Sequence, residues 1–224
     1  MWIKICGITN PEDAAVACDA GADAVGLNFF PGSRRFVDAS RAARIRRGVG
    51  DRAEVIGVFV NSSADEICRV VGDVGLTGVQ FHGDEPPDLI AAVQNRLPGT
   101  RLIRAIRVDS DGSQTVDRHL EQLADRGVVP DAILVDAFVA GEFGGTGKRV
   151  DANLLRQSFR ENWPPLILAG GLTPENVESA ITEVRPWGVD TASGVETSPG
   201  KKSPEKVKAF LEAARAANCG DAVR

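Results

Sequence analysis

Histidine is almost missing from this sequence: His82 and His119 are the two in 224 residues. Neither lies among other ligand-type residues at metal-binding spacing, so no metal site is expected. The four cysteines, Cys6, Cys18, Cys68 and Cys219, are scattered and form no CxxC pair. That excludes a disulfide framework and predicts free thiols in a reducing compartment. No apolar run approaches the roughly 20 residues that would span a bilayer. The first residues carry no signal-peptide pattern, because Lys4 interrupts the apolar run and no cleavage site follows. Excess positive charge is lacking too: 26 Lys and Arg against 31 Asp and Glu leave a net charge of −5. Nothing electrostatic therefore favours nucleic acid or an anionic membrane as partner. The local basic cluster, Arg41, Arg44, Arg46 and Arg47, reads as a solvated helix face. A cytoplasmic protein is expected.

The composition present, 43% hydrophobic and 25% charged, is that of a globular chain with a sizeable core. Short apolar, β-branched runs recur with regularity. They are WIKICGI (2–8), ADAVGLNF (22–29), EVIGVFV (54–60), GVQFHG (78–83), RLIRAIRV (101–108), AILVDA (132–137), PLILAGG (165–171) and GVDTASG (188–194). Several are nearly continuous rather than alternating, as for strands buried on both faces of a parallel sheet. Helix signals lie between them. Asn10-Pro11-Glu12, Thr173-Pro174-Glu175 and Ser203-Pro204-Glu205 read as cap, proline, first-turn acid; Ser63-Ala64-Asp65-Glu66 reads as a capping box. Helical spacing joins Leu89, Ile90, Val93 and Leu97, and again Val207, Phe210, Leu211 and Ala214. Eight strand–helix units of about 28 residues predict a single-domain (β/α)8 TIM barrel over 1–217, with 218–224 a frayed tail. An open doubly wound sheet is less suited, because GxGxxG is missing after the first strand.

A barrel of this kind places its chemistry at the carboxyl ends of its strands. Those ends carry Cys6, then Arg34 and Arg35 of the second loop, Gln80 and His82, Asp136, and the loop glycines Gly145 and Gly147. Strand seven ends in Gly170 and Gly171, and strand eight in Asp190, Ser193 and Gly194. Glycines after strands seven and eight are where barrels commonly hold phosphate, since backbone N–H groups favour an anion there. Arg35 offers a planar fork for a carboxylate or phosphate, or is an ordinary solvated arginine. Asp136, at a partly solvated barrel mouth, is a candidate acid with a raised pKa, or a cap for the next segment. Cys6 is an inert packing thiol or a base; Lys4, two residues earlier on the same side of the strand, would favour its thiolate. Cys18 and Cys68 fall in helix patterns and read as packing residues.

KICGIT (4–9), VQFHG (79–83), LVDA (134–137), GGTGK (144–148), LAGGLTPENV (168–177) and VDTASGVE (189–196), in that order, resemble the phosphoribosylanthranilate isomerase family of tryptophan biosynthesis. The resemblance implies a cofactor-free Amadori rearrangement of phosphoribosylanthranilate to 1-(2-carboxyphenylamino)-1-deoxyribulose 5-phosphate. It implies Cys6 as general base and Asp136 as general acid. It places Arg35 at the anthranilate carboxylate, and Gly170, Gly171, Ser193 and Gly194 at the phosphate. Gln80, His82, Gly145, Gly147 and Asp190 are expected to line the substrate. The expected partner is a small phosphorylated molecule, and the chain is expected to be a monomer or homodimer.

The sequence departs from the family pattern at four points. Arg34 stands where the second loop usually has proline, leaving open which arginine meets substrate. Ala192 replaces a serine of the strand-eight motif, Ser203 follows Lys202 in place of an aspartate, and Val150-Asp151-Ala152 replaces FDW. Two other readings remain: the histidine-pathway isomerase of the same fold, which typically ends strand one in aspartate, and a non-catalytic phosphate-binding barrel.

Overall fold

A computed structural model describes residues 1–108, 113–136 and 162–219. Eight parallel strands close into a barrel in chain order: β1 (Trp2–Ile5), β2 (Ala24–Asn28), β3 (Glu54–Phe59), β4 (Gly78–Phe81), β5 (Arg101–Ile106), β6 (Ala132–Asp136), β7 (Leu166–Ala169) and β8 (Gly188–Thr191). The last strand returns to the first, with Trp2 opposite Gly188 and Lys4 opposite Asp190. Seven helices cover the barrel among the described residues: α1 (Pro11–Asp19), α2 (Ala39–Val49), α3 (Ala64–Val74), α4 (Pro87–Arg96), α5 (Ser113–Ala124), α6 (Val177–Val184) and α7 (Pro204–Cys219). The (β/α)8 architecture is the one the strand pattern predicts. Each expected strand forms, trimmed at its ends where the run turns into loop. None of these helices is long and apolar enough to cross a membrane.

Side chains alternate across each strand, so the barrel has two apolar regions. Trp2, Ala24, Ile56, Ile103, Ala132, Leu134, Ile167 and Ala169 fill the interior. The opposite strand faces pack against the helices, where α3 contributes Ile67, Val70, Val71 and Val74 at helical spacing. Burying one such side chain is worth about 1.5–3 kcal/mol over leaving it in water. The amino-terminal end of the barrel is closed by Trp2 stacked on Trp187 at 5.3 Å, with the Arg101 guanidinium 5.9 Å from the Trp187 ring centroid.

Local signals start most helices. The Asn10 side chain accepts from the Asp13 N–H at 2.7 Å ahead of Pro11, and Ser63 accepts from the Glu66 N–H at 3.2 Å. Arg41, Arg44 and Arg47 of α2 are exposed as expected, while Arg46 reaches the carbonyls of Gly75 and Gly50. Thr173-Pro174-Glu175 enters its helix through a turn. It forms a turn in which Asn176 accepts from the Thr173 N–H at 2.8 Å, and α6 begins only at Val177. The Thr173 hydroxyl accepts from the Glu175 N–H at 3.3 Å and the Thr173 carbonyl from the Val177 N–H at 3.1 Å, so the cap forms and the turn leads into the helix. At the other end, α7 runs to Cys219, into the expected tail; residues 220–224 lie outside the described residues.

After β8 the chain makes a single 3₁₀ turn (Ser193–Val195) and a small antiparallel hairpin, β9 (Glu196–Ser198) with β10 (Lys201–Lys202). This hairpin, absent from the sequence-based expectation, supplies two charged groups to the carboxyl end of the barrel.

Candidate active site

Strand β1 sends Trp2, Lys4 and then Cys6 toward the barrel axis by its two-residue alternation. The thiol sits one residue past the strand, where the Cys6 N–H still continues the ladder by donating to the Thr191 carbonyl at 2.8 Å. Lys4 is fully buried, and its Nζ lies 2.8 Å from Asp190 Oδ1 on the neighbouring strand β8. The pair is a charge contact rather than an aligned hydrogen bond. Burial acts to lower the Lys4 pKa, but the Asp190 carboxylate and the nearby Cys6 reverse this and hold it above its ordinary value.

Cys6 is governed by the same balance with a different outcome. Burial pushes the thiol up, Lys4 pulls it down, Asp190 pushes it up again, and the net displacement is upward. The expected thiolate-favouring cation is therefore in place but outweighed, since the burial that shields the sulfur exceeds the pull of a lysine already paired with Asp190. The space beside the thiol depends on Gly26 of β2. A Cβ there would lie 2.7 Å from Cys6 Sγ and 3.2 Å from Lys4 Cε. Cys18 packs against the core as predicted.

Gln80 and His82 share the inward line of β4. Gln80 is buried and its Nε2 donates to His82 Nδ1 at 2.8 Å, which places the imidazole proton on Nε2. Burial, and then the Lys4 charge, hold the His82 pKa below its ordinary value, so the ring is neutral. Gln80 Oε1 is buried without a hydrogen-bond partner among the described residues. The second histidine, His119, turns its Nδ1 to the Thr115 carbonyl in α5 and takes no part here.

Asp136 ends β6 on the same rim, near enough for its charge to act on His82. Its side chain is exposed, in place of the partial burial expected of it. Gly170 and Gly171 follow β7 with φ of 95° and 64°, and Ser193 and Gly194 follow β8. The two ends are tied by the Thr191 hydroxyl donating to the Leu172 carbonyl at 2.7 Å. Gly194 packs so closely on that carbonyl that no side chain fits. Gly145 and Gly147 lie outside the described residues. Clefts of about 460 and 550 Å³ open at the other, amino-terminal end of the barrel, around Glu54 and Thr77.

Arg35, in the loop after β2, is half-buried and paired. Its Nε and Nη2 donate to the two oxygens of Glu196, each at 2.7 Å. Lys202 Nζ donates to Glu196 Oε1 at 3.0 Å and to the Ala192 carbonyl at 2.9 Å. Burial opposes the Glu196 charge, yet Arg35 and Lys202 more than compensate and keep its carboxyl below the ordinary range. Burial lowers the Lys202 pKa despite Glu196. Arg34 is exposed and outside this network. Sequence reasoning missed Glu196 and Lys202 as site residues. Their one signal was the reach of the family-like pattern past Gly194 to Glu196. Among the described residues no group of three His, Cys, Asp or Glu side chains could hold a metal ion.

Comparison with known proteins bears on the same residues. A family model described as PRAI, N-(5′phosphoribosyl)anthranilate (PRA) isomerase, matches residues 3–213. An N-(5′-phosphoribosyl)anthranilate isomerase from Magnetococcus marinus is 46% identical over 218 residues, covering 97% of each chain. One from Ralstonia nicotianae is 42% identical, over 96% of this chain and 93% of its own. The crystal structure of phosphoribosyl anthranilate isomerase from Thermotoga maritima superposes with a TM-score of 0.83 at 39% identity, over 96% of this chain and 99% of that one. A phosphoribosyl anthranilate isomerase in complex with reduced 1-(o-carboxyphenylamino)-1-deoxyribulose 5-phosphate gives a TM-score of 0.79 at 38% identity, with the same coverage.

Proposed function

The chain belongs to the N-(5′-phosphoribosyl)anthranilate isomerase family, and from that premise we propose how its own residues carry the reaction: Cys6 as general base and Asp136 as general acid. The reaction is the isomerisation of phosphoribosylanthranilate, an Amadori rearrangement within tryptophan biosynthesis. Asp136 gives a proton to the furanose ring oxygen, the C1–O bond breaks, and the anthranilate nitrogen stabilises C1 as an iminium. That positive charge acidifies the C2 hydrogen. Cys6 removes it, and the resulting enolamine becomes the aminoketone when C1 is protonated. Two proton transfers at two atoms of one sugar suit a base on β1 and an acid on β6, across the barrel mouth.

The observation that carries this assignment is the single charge cluster on the inward line of β1: a thiol beside a fully buried ammonium, itself paired with Asp190. A base there has a cation ready to stabilise its ionised form, and substrate binding, by excluding water, strengthens that attraction. His82, neutral, is suited to donate its Nε2 proton to a substrate oxygen, with Gln80 fixing the ring. Arg35 is assigned to the anthranilate carboxylate and Arg34 is not, because Arg35 alone is held over the barrel mouth. Gly170, Gly171, Ser193 and Gly194 are assigned to the phosphate, at the ends of β7 and β8. The substrate of this site is thus a small phosphorylated molecule. A phosphoribosylanthranilate isomerase from Thermotoga maritima is dimeric, which makes a homodimer the form to test first for this chain. A cytoplasmic location fits a biosynthetic enzyme of this kind.

Loss of anthranilate-type fluorescence on mixing fresh substrate with the purified protein tests the activity. Turnover is expected; a folded protein whose fluorescence trace matches that of substrate alone would overturn it.

A further inference from the structure

Glu196 carries a role beyond those assigned above. A guanidinium has five N–H donors arranged so that it can meet two carboxylates at once, one along its Nε–Nη2 side and one across the end formed by Nη1 and Nη2. In this protein the side edge is taken. Arg35 Nε and Nη2 face the two oxygens of Glu196, each at 2.7 Å. Nη1 and the outer proton of Nη2 have no partner among the described residues. We propose that Glu196 is a positioning residue, which holds Arg35 by its side edge so that the end edge is presented to the carboxylate of the anthranilate moiety.

Three further observations support this division of labour. The stem of Arg35 is fixed as well as its head: it runs against Gly7, whose φ of 73° and missing Cβ make room for Arg35 Cδ. The arginine is therefore gripped from the loop after β1 on one side and from β9 on the other. The charges also anticipate an incoming anion. Lys202 Nζ sits 3.0 Å from Glu196 Oε1, so two cations share one carboxylate and the cluster is short of one negative charge. A substrate carboxylate completes it. Finally, the cluster overlooks the reacting end of the barrel, since Arg35 and Lys202 both lie within the field of Cys6. An arginine fixed before binding loses little side-chain freedom when the ligand arrives, which is the gain from preorganisation.

This inference rests on the assignment of Arg35 to the substrate carboxylate, and the test separates the two. Calorimetry on the full-length enzyme compares reduced 1-(o-carboxyphenylamino)-1-deoxyribulose 5-phosphate with its phenylamino counterpart lacking the carboxylate. The wild type should prefer the carboxylated analogue. Glu196→Gln should weaken that analogue by about tenfold or more and the other by less than about twofold, so the preference collapses. In turnover the KM should rise more than kcat falls. Glu196→Asp, which keeps the charge but withdraws it by one methylene, should give an intermediate preference. It serves in place of Glu196→Gln if that variant fails to give a cooperative thermal transition. An equal loss for both analogues would make Glu196 merely structural and overturn the proposal. So would an unchanged preference. Tighter binding of the carboxylated analogue would also overturn it, because Glu196 would then compete with substrate for Arg35. Arg35→Ala identifies which statement failed. If it keeps the wild-type preference, Arg35 does not meet the carboxylate and the inference falls with that assignment. If it loses the preference while Glu196→Gln keeps it, the inference about Glu196 alone is wrong.

Discussion

Cys6 faces opposing demands at the scale of a single side chain. Burial makes it a poor acid, and the cation beside it is shared with Asp190. Free enzyme at neutral pH therefore holds mainly the thiol, and the reactive thiolate grows as pH rises. The sign follows directly: a pKa displaced upward from the ordinary 9.0 moves the rising limb of kcat/KM to higher pH. The expected outcome is a kcat/KM that still climbs past pH 8, and a plateau reached by pH 7 would contradict it. Cys6→Ala and Asp136→Asn should each lower kcat by about 100-fold or more, because each removes one proton-transfer group. A Cys6→Ala enzyme with full kcat would remove the thiol from the mechanism. Lys4→Met tests the buried pair from the other side. It leaves the Asp190 carboxylate buried without its cation, and equilibrium denaturation should record a loss of about 3–5 kcal/mol. A loss below about 1 kcal/mol would mean that water already reaches Asp190.

The elements differ in how openly their sequence announces them. Strands buried on both faces read as apolar runs, and β3 and β7 are legible for that reason. Asn10 before Pro11 marks the start of α1, and its cap should contribute about 1 kcal/mol, lost in Asn10→Ala by thermal or denaturant unfolding. Thr173-Pro174 carries the same letters, and there the Thr173 hydroxyl accepts from the Glu175 N–H while Asn176 accepts from the Thr173 N–H. The β9–β10 hairpin was illegible. Its worth lies in pairing Glu196 with Arg35, 161 positions away, and spacing along a chain does not encode a distant partner. Candidates at strand ends could be read from the sequence, since the barrel sends every inward strand end to one rim. Glu196, which holds Arg35 in place, could not.

The whole molecule is closed by its ends. β1 pairs with β8, and α7 lays Val207, Phe210, Leu211 and Ala214 against the core. Arg215 of that helix reaches the Met1 carbonyl, and its Nη2 meets Asp23 at 2.7 Å. A chain ending at Ser203 should consequently lose its cooperative unfolding transition in circular dichroism, rather than shed one peripheral helix. Retention of a sharp transition would show that the barrel closes without α7.

The contact between Lys4 and Asp190 also sets a clock. A ribosome makes Lys4 and Cys6 almost at once, but Asp190 and Lys202 emerge only when most of the chain has been synthesised. Until then the thiol is an ordinary exposed cysteine, open to any alkylating reagent. Once the last strand docks, its ionisation is suppressed. The rate at which iodoacetamide labels Cys6 thus reports barrel completion, and catalytic competence arrives with the final strand rather than growing as the chain does.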